Sequence, residues 1–455
     1  MPEILSMKSL RAAVKNGSVD TVIAAFPDMQ GRLMGKRFHG QFFVDNAWQE
    51  THCCNYLIAT DLEMTTVDGY ESTSWSAGYG DYVMRPDLDT LCVLPWLEGT
   101  ALVLCDLLDH HTHELVPHAP RTVLKQQLKR AADLGLSMMA ATELEFFVFR
   151  ETFETIRDAG YHAMTPISPY NEDYHIFQTT KEESLMRQIR NGLYGAGIVV
   201  ENTKGEADAG QAEINVHYAD ALRMGDVHVM VKNAVKEIAF LNDRAITFLA
   251  KWHHDYAGSS SHIHQSLRNA DGEAVFFDSA QPHGMSKMMQ GYLAGLLTYA
   301  DDTTYFLAPY VNSYKRFKAG TFAPTKAIWS IDNRTAGYRV VAENSQNIRV
   351  ECRVGGSDLN PYLALASQLA AGLKGIEDNL TLEAEFTGDA YQADAARSIP
   401  ASLRDATVAL DQSKMLRAAM GDAVVDHYVR AARWEQEDFD SKVTDYEVRR
   451  GFERA

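Results

Sequence analysis

LSMMAATELEFFVF, from Leu136 to Phe149, sets two glutamates two positions apart inside an otherwise apolar run. Side chains two apart on a strand leave the same face, so Glu143 and Glu145 project together while Leu144 and Phe146 pack behind them. Immediately upstream, Arg121 to Leu134 puts Leu124, Leu128 and Ala131 on one helical face and stops at Gly135. The same succession recurs downstream. Leu185, Ile189 and Leu193 form a second stripe, closed by Gly195 and Gly197 before the strand-like Ile198 to Val200. Val227, Val231, Ala234, Ile238 and Leu241 form a third, followed by the apolar run Ala245 to Ala250. Helices alternating with strands predict a mixed α and β fold; the pattern does not decide between a parallel and an antiparallel sheet.

Upstream of this region, Asp109 to Pro120 (DHHTHELVPHAP) is polar and His-rich and reads as a linker. Before it, Thr21 to Phe26 and Ala101 to Leu108 read as strands bounded by turn residues. A small sheet-rich domain over residues 1–112 and a larger one over 113–455 are therefore expected.

The whole chain has 455 residues, 46% of them hydrophobic and 23% charged, which fits a globular protein and not a disordered one. A net charge of −18 argues against nucleic acid as the main partner. The longest apolar stretches, Met288 to Ala300 and Tyr362 to Leu373, fall short of the roughly 20 residues a membrane span needs. Glu3, Lys8 and Arg11 interrupt any apolar signal core near the start. Five scattered cysteines (Cys53, Cys54, Cys92, Cys105, Cys352) without a C-x-x-C agree with a cytoplasmic setting. Cys53 and Cys54 read as two small buried thiols in preference to a redox pair.

Three further segments repeat the close spacing of ionisable groups: His262 and His264 in SHIHQSL, Arg349, Glu351 and Arg353 in IRVECRV, and, more loosely, Glu206 and Glu213 in KGEADAGQAE. Ile263 and Cys352 take the backing role in their strands. For any single pair a solvated sheet face is the bland reading, but neighbouring carboxylates are costly to bury unless a cation neutralises them. Five carboxylates with one or two histidines suit Mg²⁺ or Mn²⁺ better than zinc. Arg316, Arg334, Arg339, Arg349 and Arg353 then read as a clamp for phosphate and carboxylate groups, against the alternative of surface salt bridges. Metal plus arginine clamp is the equipment of phosphoryl transfer, yet neither a G-x-x-x-x-G-K-[ST] nor a G-x-G-x-x-G motif is present. Two other tracts, His110, His111, His113 and His118 in the linker and His253, His254 and Asp255, read as exposed polar loops in preference to transition-metal sites. Met138 and Met139 read as core.

The runs TELEFF, KGEADAGQAEI, SSSHIHQSL, APYVNSYKRF, DNRTAGYR and RVECRVGGSDLNPY, in this order, resemble the glutamine synthetase family over essentially the whole chain. The resemblance implies an α+β architecture, with an N-terminal β-grasp domain and a catalytic domain built on a curved antiparallel sheet with surrounding helices. It also implies two stacked hexameric rings whose active sites are shared between neighbouring subunits. Residue by residue, it gives Glu145, Glu206 and Glu213 to a first metal near the glutamate and amine sites. Glu143, His262 and Glu351 go to a second metal on the nucleotide phosphates. His264, Arg339 and Arg349 match ATP contacts, Arg334 the arginine on the transferring phosphate, and Arg316 and Arg353 the arginines that hold L-glutamate.

One departure matters. Where ammonia-using members carry a glutamate before Ala-Pro, this chain reads RFKAGTFAP, with Phe322 at that place. An aspartate that holds ammonium in those members falls near Asp68. An aromatic ring removes a site for a small cation and supplies an apolar wall. The likeness is therefore to the γ-glutamylamine ligases of the family, which join glutamate to an organic amine at the expense of ATP. True glutamine synthesis from ammonia and a catalytically silent relative are the competing readings. FTGDAYQADAARSIP replaces the adenylylation segment of some bacterial members, which puts such regulation at Tyr391 in doubt.

Overall fold

The structure, a computed structural model, describes residues 5–455; Glu3, counted above against a signal core, lies outside them. Among the described residues six strands precede residue 110: β1 (Thr21–Pro27), β2 (Leu33–His39), β3 (Thr51–Cys54), β4 (Asp81–Pro86), β5 (Cys92–Val93) and β6 (Thr100–Asp109). They form one sheet in the order β2-β1-β6-β4-β3, with β5 also on β6. β1 and β6 pair in parallel and the other neighbours antiparallel. β6 is buried along nearly its whole length, as its unbroken apolar run requires of a central strand.

A second, nine-stranded sheet follows. It comprises β7 (Leu136–Phe149), β8 (Val200–Gly205), β9 (Gln211–Val216), β10 (Ala219–Asp220), β11 (Ala245–Thr247), β12 (Ile263–Asn269), β13 (Trp329–Ile331), β14 (Tyr338–Val341) and β15 (Arg349–Cys352). The order is β13-β14-β15-β12-β7-β9-β8, with β10 and β11 also on β7. Every pairing is antiparallel except β13 with β14. The run that opened the sequence reading is the spine of this sheet, entered from the helix Pro120–Asp133 through Gly135 at φ 73°, a left-handed turn that glycine makes without strain. Helices Ala221–Leu241, Lys287–Thr298 and Pro361–Glu377 supply much of the core. The last two approach so closely that a Cβ on Gly375 would lie 2.2 Å from the Gly291 carbonyl.

Arg121, in the first turn of its helix, ties the two sheets. Its buried guanidinium meets Asp87 (2.7 Å), just past β4, Asp106 (2.6 Å) on β6 and Asp226 (3.0 Å) from the helix behind the second sheet. Burial alone would lower the Arg121 pKa, but these carboxylates outweigh it and hold the group charged.

Four expectations need correction. The Asp109 to Pro120 tract is no open linker: Leu115 bridges back to Leu108, and His118 is buried, its ring 4.2 Å from that of His427. His110, His111 and His113 are exposed as expected. Cys53 is buried but Cys54 is exposed, because adjacent strand residues face opposite ways. Met138 is core, whereas Met139 alternates to the other face and lines a cavity. The strand expected from Ile198 starts at Val200 and runs on to Gly205. No described helix is long and apolar enough to cross a membrane.

Candidate active site

Strand register brings the predicted residues together. β7 lies between β12 and β9, so Glu145 stands opposite Glu213 and Glu143 opposite Asn215. On the other side, His264 of β12 stands opposite Glu351 of β15, and Glu351 opposite Arg339 of β14. Leu144, Phe146, Ile263 and Cys352 are buried behind them, as the alternation demands.

Two groups of ligand atoms result, each within 4.8 Å of one another: Glu143, His264 and Glu351, and Glu145, Glu206 and Glu213. The histidine in the first group is thus His264 and not the expected His262, whose Nδ1 nonetheless lies 2.9 Å from Glu143 and 3.5 Å from Glu351. Arg349 Nε donates to His264 Nδ1 (3.2 Å), so His264 keeps its proton on Nε2 and donates it to Glu143 (2.8 Å). Both histidines thus reach Glu143. Burial would raise the Glu143 pKa, but the hydrogen bonds from His262 and His264 hold it well below the carboxylate range. Glu351 also takes Arg353 Nη1 at 2.7 Å and Arg339 Nη1 at 3.0 Å. Against the upward push of burial, His262 and Arg353 bring it down to about 2.

The second group is short of positive charge. Burial, followed by repulsion from Glu143, Glu145 and Glu206, pushes Glu213 up to about 9. Glu145 is raised for the same reasons, burial first and Glu206 next, although Ser260 N–H donates to it at 2.7 Å. Glu206, one residue past β8, is lowered despite its burial because Lys204 pairs with it. Three carboxylates share a single lysine, and burial favours keeping some of them neutral. That donor set fits a hard divalent cation in the second group, and carboxylates with one histidine fit another in the first. His262 Nε2, buried without a partner, fits the same reading.

The cationic residues divide. Arg316 is buried, with Nη1 on the Val354 carbonyl (2.9 Å) and Nη2 on the Arg353 carbonyl (2.8 Å) and Ser260 Oγ (3.1 Å). Burial lowers its pKa to about 10. Arg353 is buried beside it, and its Nε has no partner. Arg339 is also engaged by Asp332. Arg334 is exposed and forms no ion pair among the described residues. Glu143, Glu213, His264 and Arg349 open onto a cavity of about 760 Å³, also lined by Lys204 and Tyr218.

Two predicted residues stand apart within the single chain. Phe322 is 57% exposed at φ 56° in the loop after Arg316. Asp68 is exposed in the loop before β4, where its carbonyl accepts from Arg430, and it shares no hydrogen bond or ion pair with either carboxylate group. His253, His254 and Asp255 offer ligand atoms within 4.8 Å of one another, but on the surface. Sequence reasoning missed Lys204, although its place two residues before Glu206 was a signal. It also missed Ser260 and Asp332, which only the tertiary structure brings in.

Residues 117–451 match the glutamine synthetase catalytic domain. A gamma-glutamylethanolamide synthetase, GlnA4, of Streptomyces coelicolor is 47% identical over 99% of this chain and 96% of its own. A glutamate–isopropylamine ligase of a Pseudomonas species is 34% identical over 97% and 96%. A solved GmaS/ADP complex superposes with a TM-score of 0.84 at 26% identity, covering 99% of this chain and all of its own. With its catalytic sheet, carboxylate groups and full-length relatives in agreement, the chain belongs to the glutamine synthetase family.

Proposed function

We propose that this protein is an ATP-dependent ligase that joins the γ-carboxyl of L-glutamate to an organic amine. Phe322 carries the choice of amine over ammonia: its exposed ring, in the loop after Arg316, offers apolar surface and no anion. The full-length likeness to ligases for ethanolamine and isopropylamine supports the same choice.

In this reading Arg316 and Arg353 hold glutamate, with Glu145 nearby. His264, Arg339 and Arg349 hold the ATP phosphates, and Arg334 swings onto the transferring phosphate. Glu145, Glu206 and Glu213 would hold one Mg²⁺ or Mn²⁺, and Glu143, His262 and Glu351 another. Such ions supply charge neutralisation at the phosphates. The γ-carboxylate oxygen attacks the terminal phosphorus of ATP, the bond to ADP breaks, and γ-glutamyl phosphate forms. The amine nitrogen then attacks the acyl carbon, phosphate leaves, and the amine proton passes to a nearby base. The arginines disperse the charge that builds on the transferring phosphoryl group.

Residues 1–112 would form the β-grasp domain and 113–455 the catalytic domain. The protein would act in the cytoplasm as two stacked hexameric rings. Asp68 would then reach the amine site from a neighbouring subunit. The test is ATP-dependent phosphate release with glutamate, Mg²⁺ and a panel of amines, with the products weighed by mass spectrometry. γ-Glutamylamide from ethanolamine or a short alkylamine is expected, and no turnover with any amine would refute the proposal.

A further inference from the structure

Residues 386–399 run outside both sheets and carry a small core of their own, in which Ala390 and Ala393 pack with Ile328 and Ala336. This strap holds two loops at once. On one side, Asn333 Nδ2 donates to the Gly388 carbonyl (2.8 Å) and the Ala390 N–H donates to Thr335 Oγ1 (3.0 Å), on either side of Arg334. On the other, Tyr391 Oη donates to the Ala323 carbonyl (3.1 Å), the residue after Phe322. Backbone bonds from Ala327 to Arg397 (2.9 Å) and from Ile399 to Thr325 (3.2 Å) continue that edge. Phe322 sits at φ 56°, a left-handed conformation that is strained for a bulky residue, so its neighbours must hold it there. Tyr391 is half-buried, and its own N–H is fixed by Asp389 Oδ1 at 3.0 Å. Burial raises the Tyr391 pKa, while the charges of Arg353 and Arg316 oppose the rise, so the phenol lies within the field of that arginine pair.

We propose that Tyr391 is a positioning residue: through the Ala323 carbonyl it sets Phe322 as the wall of the amine site, on a strap that also fixes the Arg334 loop. The proposal rests on the reading of Phe322 given above. A wall in place keeps water from γ-glutamyl phosphate. When it loosens, a water oxygen attacks the acyl carbon and the bond to the phosphate oxygen breaks. Glutamate and phosphate are then released with a proton to solvent, so ATP is spent without amide.

Tyr391→Phe removes one hydroxyl and keeps the ring. Phosphate and γ-glutamylamide are measured in the same reactions with ethanolamine and with isopropylamine. The unaltered enzyme should release phosphate in step with amide. In the variant the phosphate-to-amide ratio and the amine KM should each rise about 2- to 10-fold, the range of one lost hydrogen bond. The KM values for glutamate and ATP, and the Tm, should hold. An unchanged ratio and amine KM would overturn the role of Tyr391 while leaving the ligase reading intact. A uniform loss of rate with a lowered Tm and an unchanged ratio would mark a structural tyrosine and overturn it equally. No amide from the unaltered enzyme would remove the ligase reading and this role together.

Discussion

Arg353→Lys separates charge from geometry in the glutamate clamp. Arg353 spends Nη1 on Glu351 at 2.7 Å, and its Nε is buried without a partner. The fork can therefore hold Glu351 and a substrate carboxylate at once. A lysine ammonium on a flexible stem must choose between them. Keeping Glu351 fully paired is the cheaper choice: it is buried, and weakening the pairing of a buried charge is costly even with Arg339 still bonded to it. The substrate then loses a charge-assisted hydrogen bond, worth about 1.5–3 kcal/mol, and the glutamate KM should rise roughly 10- to 100-fold. The assay is phosphate release with ATP and amine saturating and glutamate varied, alongside thermal unfolding to show that the fold survives. An unchanged glutamate KM in a variant of normal Tm would refute the placement of Arg353 in the clamp.

Because Glu145, Glu206 and Glu213 share one lysine, Mg²⁺ or Mn²⁺ should raise the Tm and excess EDTA should abolish activity; Glu351→Ala should end ATP turnover with the fold intact, as read by circular dichroism. Phe322→Glu should move selectivity from the organic amine towards ammonium, read as the ratio of kcat/KM values; an unmoved ratio would detach Phe322 from the amine site. Burial holds His118 at about 4, below the ordinary histidine value, so its neutral form stabilises the fold above pH 6.5, and that stability drains as pH falls towards 4. Linkage puts the loss at pH 5 near 2 kcal/mol, and His118→Leu should show a smaller drop in urea midpoint between pH 7.5 and pH 5 than the unaltered protein.

What was legible in the sequence follows the range of the interactions involved. Leu136–Phe149 could be read as a strand because its limits are local: a helix stop at Gly135 and a mostly apolar run whose glutamates stand at strand spacing. The pairing of Glu143 with Glu145, and of His262 with His264, followed from the two-residue period alone. Which strands bring these pairs together did not, since β7 meets β12 and β9 from distant parts of the chain, and motif order supplied what periodicity lacked. The polar composition of Asp109 to Pro120 misled because His118 is buried by His427 and Tyr428, whose hydroxyl donates to the His118 carbonyl (2.8 Å) from the far end of the chain. That Arg316 commits three donor contacts to protein oxygens is something no spacing rule foretells. Phe322 was visible only as a departure from a motif, and its left-handed backbone appears only in the structure.

The choice between an organic amine and ammonium is settled most directly by competition in a single reaction. Equal concentrations of ethanolamine, isopropylamine and ammonium are supplied with glutamate, ATP and Mg²⁺, and the early products are separated by mass. A γ-glutamylamide of an organic amine should dominate, with glutamine a minor product. Glutamine as the main product would contradict the apolar amine wall and return the chain to ammonia chemistry.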